Sequence, residues 1–245
     1  MALSPSFWRA SANIASGDGK DRPALLVAKG LTQRFYLNGR PRVLFENLSF
    51  DLARNGRLAI LGRNGQGKST LIKILGGVLS PTAGDVHWDL MPSWPLGFVG
   101  AFQGSLTGMD NILFISRIYR KPSAEVIRRT EEFAELGPAL TQPIRQYSTG
   151  MRARLAFGLS LAIDFDCYLI DEVIAVGDSS FARKCEHELF GKRGHRAFIV
   201  ATHDLGFVRA KCERALVIES GVATLYDDVN EATERVANLT SPDPA

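Results

Sequence analysis

Residues 62–69 read Gly-Arg-Asn-Gly-Gln-Gly-Lys-Ser, directly after the apolar run Leu58-Ala59-Ile60-Leu61. The spacing G-x-x-x-x-G-K-[ST], placed between a strand and a helix, turns backbone N–H groups toward phosphate oxygens. Gly62, Gly65 and Gly67 lack the β-carbons that would resist that turn, and Arg63, Asn64 and Gln66 complete the loop. Lys68 supplies a mobile charge for β- and γ-phosphates, and the Ser69 hydroxyl can ligate Mg²⁺. Thr70 follows in the first turn of a helix whose positive end adds to the anion site. That helix is expected over 68–75, stopped by Gly76-Gly77. A chain carrying such a loop is expected to build an α/β core that binds ATP.

Two further stretches gain meaning from the loop. Cys167-Tyr168-Leu169-Ile170 is a short apolar run that ends in Asp171-Glu172. Asp171 can hold Mg²⁺ directly or through water, and Glu172 can polarise an attacking water as general base. The next apolar run, Ala197 to Ala201, is followed by Thr202 and His203. If both runs are neighbouring parallel strands, His203 emerges on the same edge as Asp171, beside the phosphates.

Before this core, residues 25–61 read as strands and tight turns, which predicts an antiparallel sheet. Between Asp110 and Ile163 the pattern is mainly helical, with Asp110 able to cap the first helix and Pro122-Ser123 opening the next. A final hairpin is expected to turn at Ser220-Gly221. The stretch Tyr147-Ser148-Thr149-Gly150-Met151 places small residues before a helix, a second helix end suited to an anion. One ATP already occupies the first loop, so a second anion-binding end points to two chains sharing two nucleotides.

Composition removes other classes. A formal charge of +3 over 245 residues is too small to argue for nucleic acid. Cys167, Cys185 and Cys212 have no metal-ligand spacing, and an odd count argues against a disulfide framework. No run approaches the length of a membrane span. Residues 1–23 are expected to be a disordered extension, 24–239 one domain with a helical part at about 105–162, and 240–245 a tail.

The order of these motifs, with Val176-Gly177-Asp178 and Ala201-Thr202-His203-Asp204, resembles that of an ABC-type ATPase. The likeness runs from about residue 25 to 235. It implies a phosphate-loop nucleotidase fold with a mainly parallel core sheet, an antiparallel β subdomain and a helical subdomain. It implies that Ser148, Thr149, Gly150 and Met151 of one subunit clamp the γ-phosphate held by another in a head-to-tail homodimer, with Asp178 at the seam. It implies an aromatic on adenine, with Phe35 preferred over Tyr36, and a γ-phosphate-sensing role for His203. It also gives Gln103 a role: a neutral amide reaching Mg²⁺ and the attacking water from a loop with Gly97, Gly100 and Gly104 around it. Thr149 stands where glycine is usual, and Met151 where glutamine is usual.

The stretch 93–111, with 147–162 and 171–178, is similar to the ATP-binding subunit of capsular-polysaccharide export ABC transporters. That resemblance implies ATP hydrolysis at the cytoplasmic face of the bacterial inner membrane, with a separate membrane permease that carries a lipid-linked polysaccharide. O-antigen exporters often have an extra C-terminal carbohydrate-binding domain and teichoic-acid exporters are longer; the few residues after Leu239 favour the capsule type. A non-transport ABC ATPase fits less well, since such chains usually hold two ATPase halves or a long coiled coil.

Overall fold

The computed structural model describes residues 24–37, 39–97, 100, 102–172 and 179–240. In chain order the elements are β1 (Ala24–Leu37), β2 (Arg40–Ala53), β3 (Arg57–Leu61), α1 (Lys68–Leu75), β4 (Ala83–Trp88) and β5 (Pro92–Pro95). Helices α2 (Gly108–Ile118), α3 (Ser123–Ala134) and α4 (Thr149–Ile163) follow. Then come β6 (Cys167–Asp171), α5 (Ser179–Glu186), β7 (Ala197–Ala201), α6 (Leu205–Lys211), β8 (Arg214–Glu219), β9 (Val222–Tyr226) and α7 (Val229–Thr240). Short 3₁₀ turns lie at Gly137–Thr141 and Ile144–Gln146, and α5 runs into a π-helical turn at His187–Lys192. No described helix is long and apolar enough to cross a membrane.

The chain divides into two compact units. The first holds the described residues up to Pro92, Asp166–Glu172 and the stretch from Arg196 onward. Its larger sheet includes the consecutive order β6-β7-β3-β8-β9. The β6/β7, β7/β3 and β3/β8 pairs are parallel, and β8/β9 is an antiparallel hairpin. β3, β6 and β7 are apolar almost throughout, as strands covered on both faces must be, and Ile60, Leu169 and Ile199 have no exposed surface. The smaller sheet, β2-β1-β4, is antiparallel. Here β2 alternates from Leu48 through Phe50 to Leu52, while Leu44 and Phe45 are buried consecutively. The register shift near Gln33 and the left-handed Asn47 accommodate that break in period.

The second unit holds Ser93–Phe165 and the described part of 173–195. α2 starts one turn earlier than expected from Asp110. Thr107 is the N-cap, and Asp110 is its partner at the third helical position, forming a capping box. α3 opens at Ser123 as read and ends at a left-handed Glu135, after which Gly137-Pro138 begins the 3₁₀ turn. α4 is apolar on every side and buried from Leu155 to Ile163. Gly158 lets α3 approach, since a β-carbon there would stand 3.0 Å from the Thr130 carbonyl oxygen. Phe133, Phe157 and Phe181 pack face to edge and stacked beside it.

Candidate functional site

The phosphate loop leaves β3 at a backbone that only glycine tolerates well. Gly62 has φ 143°, and a β-carbon there would stand 2.4 Å from the Ile218 carbonyl oxygen. Gly65 and Gly67 also have positive φ, and Gly67 is the N-cap of α1. Arg63, Asn64 and Gly65 are open to solvent, as a loop that receives a ligand must be. Lys68 folds back over it: Nζ donates to the carbonyls of Gly62 at 2.8 Å and Arg63 at 3.2 Å. Only 7% of Lys68 is exposed. Burial lowers its pKa, and the carboxylates of Glu172 and then Asp171 oppose that shift.

The parallel register brings the other groups to this loop. Asp171 of β6 pairs with Ala201 of β7, and the Glu172 N–H donates to the Ala201 carbonyl at 2.9 Å. His203, two residues beyond Ala201, therefore emerges beside the two acids. Its Nε2 lies 3.2 Å from Glu172 Oε1 and 3.3 Å from Lys68 Nζ. Ser69 Oγ donates to Asp171 Oδ1 at 2.8 Å. A hydroxyl and a carboxylate side by side suit Mg²⁺, which takes one or two protein oxygens and completes its octahedron with water and phosphate. Glu172 holds a left-handed φ of 53°, a conformation that costs energy and persists where the surroundings impose it. Thr70 lies in the first turn of α1, half-buried.

Other contacts at this loop have no local signal in the sequence. Arg42 Nη2 donates to the Gly65 carbonyl at 2.9 Å, and Gln66 Oε1 accepts from the Ser220 N–H at 3.1 Å. Phe35 is directly opposite Arg42 in the β1/β2 pair, so the two share a face of the sheet. Phe35 is 43% exposed.

Gln103 and residues 148–151 belong to the second unit. Ser148 is the N-cap of α4, accepting from the Met151 N–H at 3.2 Å, with Thr149 and Gly150 in the first turn. Their N–H groups have no partner within the helix. Gln103 is held through its backbone by the buried Asn111, and its side chain donates to Ser105 Oγ at 3.3 Å. Asn111 is not among the residues that the sequence motifs single out. The Thr107-x-x-Asp110 capping box just before it is the signal that could have located it. Asp178 lies outside the described residues.

A glycine loop on a parallel sheet, a lysine folded over it, and Ser69, Asp171, Glu172 and His203 around it define a nucleotide-binding ATPase of the phosphate-loop class. The model of the ABC transporter family matches residues 45–175, and the chain belongs to that family. It is 48% identical over 215 residues to the capsule polysaccharide export ATP-binding protein CtrD of Neisseria meningitidis serogroup B, covering 88% of this chain and 100% of that one. Identity with the ATP-binding protein BexA of Haemophilus influenzae is 47%, covering 85% of this chain and 96% of that one. The O-antigen export system ATP-binding protein RfbB of Klebsiella pneumoniae is more distant, at 39% identity over 75% of this chain and 76% of that one. In fold, the chain is similar to the ATP-binding cassette MJ0796 in its post-hydrolysis dimer bound to ADP and Pi. The TM-score is 0.68, with 20% identity over 82% of this chain and 98% of that one.

Proposed function

We propose that this chain is the ATP-hydrolysing subunit of an ABC transporter that exports a capsular or related cell-surface polysaccharide across the cytoplasmic membrane. The observation that carries the reading is the cluster Lys68, Ser69, Asp171, Glu172 and His203 around one open phosphate loop. The loop from Gly62 to Thr70 binds the triphosphate and Phe35 stacks on adenine. Ser69 and Asp171, with Gln103, would hold Mg²⁺, whose charge would offset that developing on the β- and γ-oxygens.

Glu172 accepts a proton from the attacking water while His203 orients the γ-phosphate. Ser148, Thr149, Gly150 and Met151 of a second copy close the site, so that two chains in head-to-tail arrangement share two ATP molecules, with Asp178 at the seam. Gln103 links that closure to a separate integral membrane permease, which holds the lipid-linked polysaccharide. The subunit then works as a peripheral protein at the cytoplasmic face, with no nucleic-acid partner. Higher identity and fuller coverage of capsule-export relatives than of the O-antigen ones favour the capsule class.

The test is Lys68→Ala in the native cell, following labelled polysaccharide. Polymer retained inside and lost from the surface is the expected result. Unchanged surface polymer, with ATP turnover confirmed lost, would overturn the cargo and leave the ATPase reading in place.

A further inference from the structure

We infer that Arg42, on the strand ahead of the phosphate loop, is a positioning residue for triphosphate binding. It acts by fixing the orientation of the Gly65–Gln66 peptide. This rests on the reading of residues 62–70 as the ATP-phosphate site.

Arg42 Nη2 donates to the Gly65 carbonyl oxygen at 2.9 Å. The peptide unit is planar and trans, so anchoring its C=O also sets the direction of the N–H on the far side. That N–H belongs to Gln66. It turns toward the Arg63 carbonyl, at a long 3.4 Å. A phosphate oxygen entering the loop would offer it a better acceptor. Without Arg42, Gly65 at φ 78° has the freedom to rotate this peptide, because glycine meets little steric resistance on either side.

The far side of Gln66 is fastened independently. Its Oε1 accepts from the Ser220 N–H at 3.1 Å. Ser220 and Gly221 make the β8–β9 turn with left-handed backbones. Two successive loop residues are thus tied to two different sheets, Gly65 to β2 and Gln66 to the β8–β9 hairpin. Arg42 suits the task because a guanidinium presents several donors in a fixed plane. Its side chain is exposed, so replacing it opens no cavity in the core.

The test compares wild type with Arg42→Met, which keeps the stem and removes the donors, and Arg42→Lys, which keeps a charged donor. The full-length chain is titrated with ATP and with inorganic tripolyphosphate at low salt and at about 0.5 M salt, where charge effects are confined to a few ångströms. Arg42→Met should weaken both ligands by the same factor, about two- to tenfold, the range of one hydrogen bond. That loss should persist at high salt with Tm unchanged, and Arg42→Lys should recover part of it. Weakening confined to ATP would place Arg42 against the nucleoside and overturn the inference. A loss that vanishes at high salt would mean through-space attraction and would also overturn it, as would no loss at all. Should Arg42→Met unfold, Arg42→Ala takes its place at the exposed position: retention of full affinity for both ligands by a variant without the donor would then overturn it. Lys68→Ala separates this from the underlying reading: if it binds tripolyphosphate as wild type does, the phosphate loop itself has been misassigned.

Discussion

His203 Nε2 stands 3.2 Å from Glu172 Oε1, and the same nitrogen stands 3.3 Å from Lys68 Nζ. A neutral imidazole has one N–H and one bare nitrogen. With its proton on Nε2 it donates to Glu172; with its proton on Nδ1 it accepts from Lys68. The two contacts therefore exclude one another for the neutral ring, and Glu172 and Lys68 compete for one atom. An entering γ-phosphate would offer Lys68 and His203 a new partner and free Glu172 for water. Glu172→Gln should keep ATP binding, accumulate an ATP-dependent dimer on size-exclusion chromatography, and lose turnover by about 10²–10⁴-fold. Ordinary phosphate release from this variant would remove Glu172 from the role of base.

The Ser69–Asp171 contact leads to a metal prediction. Ser69 at the end of the phosphate loop and Asp171 at the end of β6 meet there, with Ser69 donating at 2.8 Å. Ser69 and Asp171 would hold a divalent ion there in place of that hydrogen bond. Chelating Mg²⁺ should abolish turnover. Ser69→Ala should raise the Mg²⁺ concentration needed for half-maximal turnover by about tenfold or more. An unchanged Mg²⁺ requirement would show that the ion is held elsewhere.

Lys68 gives opposite pH signs to stability and to binding. Burial lowers its pKa from the ordinary 10.5, against the pull of Glu172 and Asp171. Between the folded pKa and 10.5 the unfolded chain holds a proton that the folded chain has released. The Lys68 contribution to apo stability therefore rises with pH across that window. If the Lys68 ammonium holds the phosphates, as proposed, affinity for ATP should fall over the same window. Tm of wild type relative to Lys68→Met should improve as pH rises, while wild-type Kd for ATP increases. Arg stays charged throughout, so any binding retained by Lys68→Arg should show a flatter pH profile. Parallel pH profiles for Lys and Arg would show that another group controls binding.

Gly62 predicts a large loss from one methyl group. At its φ of 143° an added β-carbon would stand 2.4 Å from the Ile218 carbonyl oxygen, so Ala has no relaxed place there. The clash is with backbone of a central strand, which cannot swing aside. Gly62→Ala should cost roughly 2–4 kcal/mol in urea unfolding, with the slope unchanged. A loss under about 0.5 kcal/mol would mean that β3 and β8 shift more freely than their pairing implies.

Legibility in the sequence followed the range of the forces involved. The loop, the strand ends and His203 were readable because each motif is local and the parallel sheet then superposes their ends. Asp171 and Ala201 meet through the register of the parallel pair, which two neighbouring apolar runs alone do not fix. β4 and α7 escaped notice. β4, Ala83–Trp88, mixes polar and apolar residues in a half-exposed strand, so its period is weak. α7 has few buried residues, Val229, Ala232 and Val236 among them, and a pattern that sparse gives little signal. Arg42 and Ser220 reach the loop from distant positions, through contacts that no local spacing encodes.

Asn111 shows how a residue without any motif can hold a functional one. It is 1% exposed, on the first full turn of α2, where asparagine has poor intrinsic helix propensity. Its Oδ1 accepts from the Gln103 N–H at 2.9 Å, and its Nδ2 donates to the carbonyls of Gln103 at 3.2 Å and Thr107 at 2.8 Å. Both backbone groups of Gln103 are thereby tied to α2 while its side chain is left at the surface. Asn111→Leu preserves the approximate volume and removes all three bonds, at a cost of about 1–3 kcal/mol. Thr107→Ala provides the control, since it removes the helix cap for about 1 kcal/mol and leaves the Asn111 amide intact. If Gln103 relays ATP binding to the permease, Asn111→Leu should lower polymer exported per ATP hydrolysed, and Thr107→Ala should not. Equal ratios in the two variants would reduce Asn111 to a stability role and remove the anchoring of Gln103 from the mechanism.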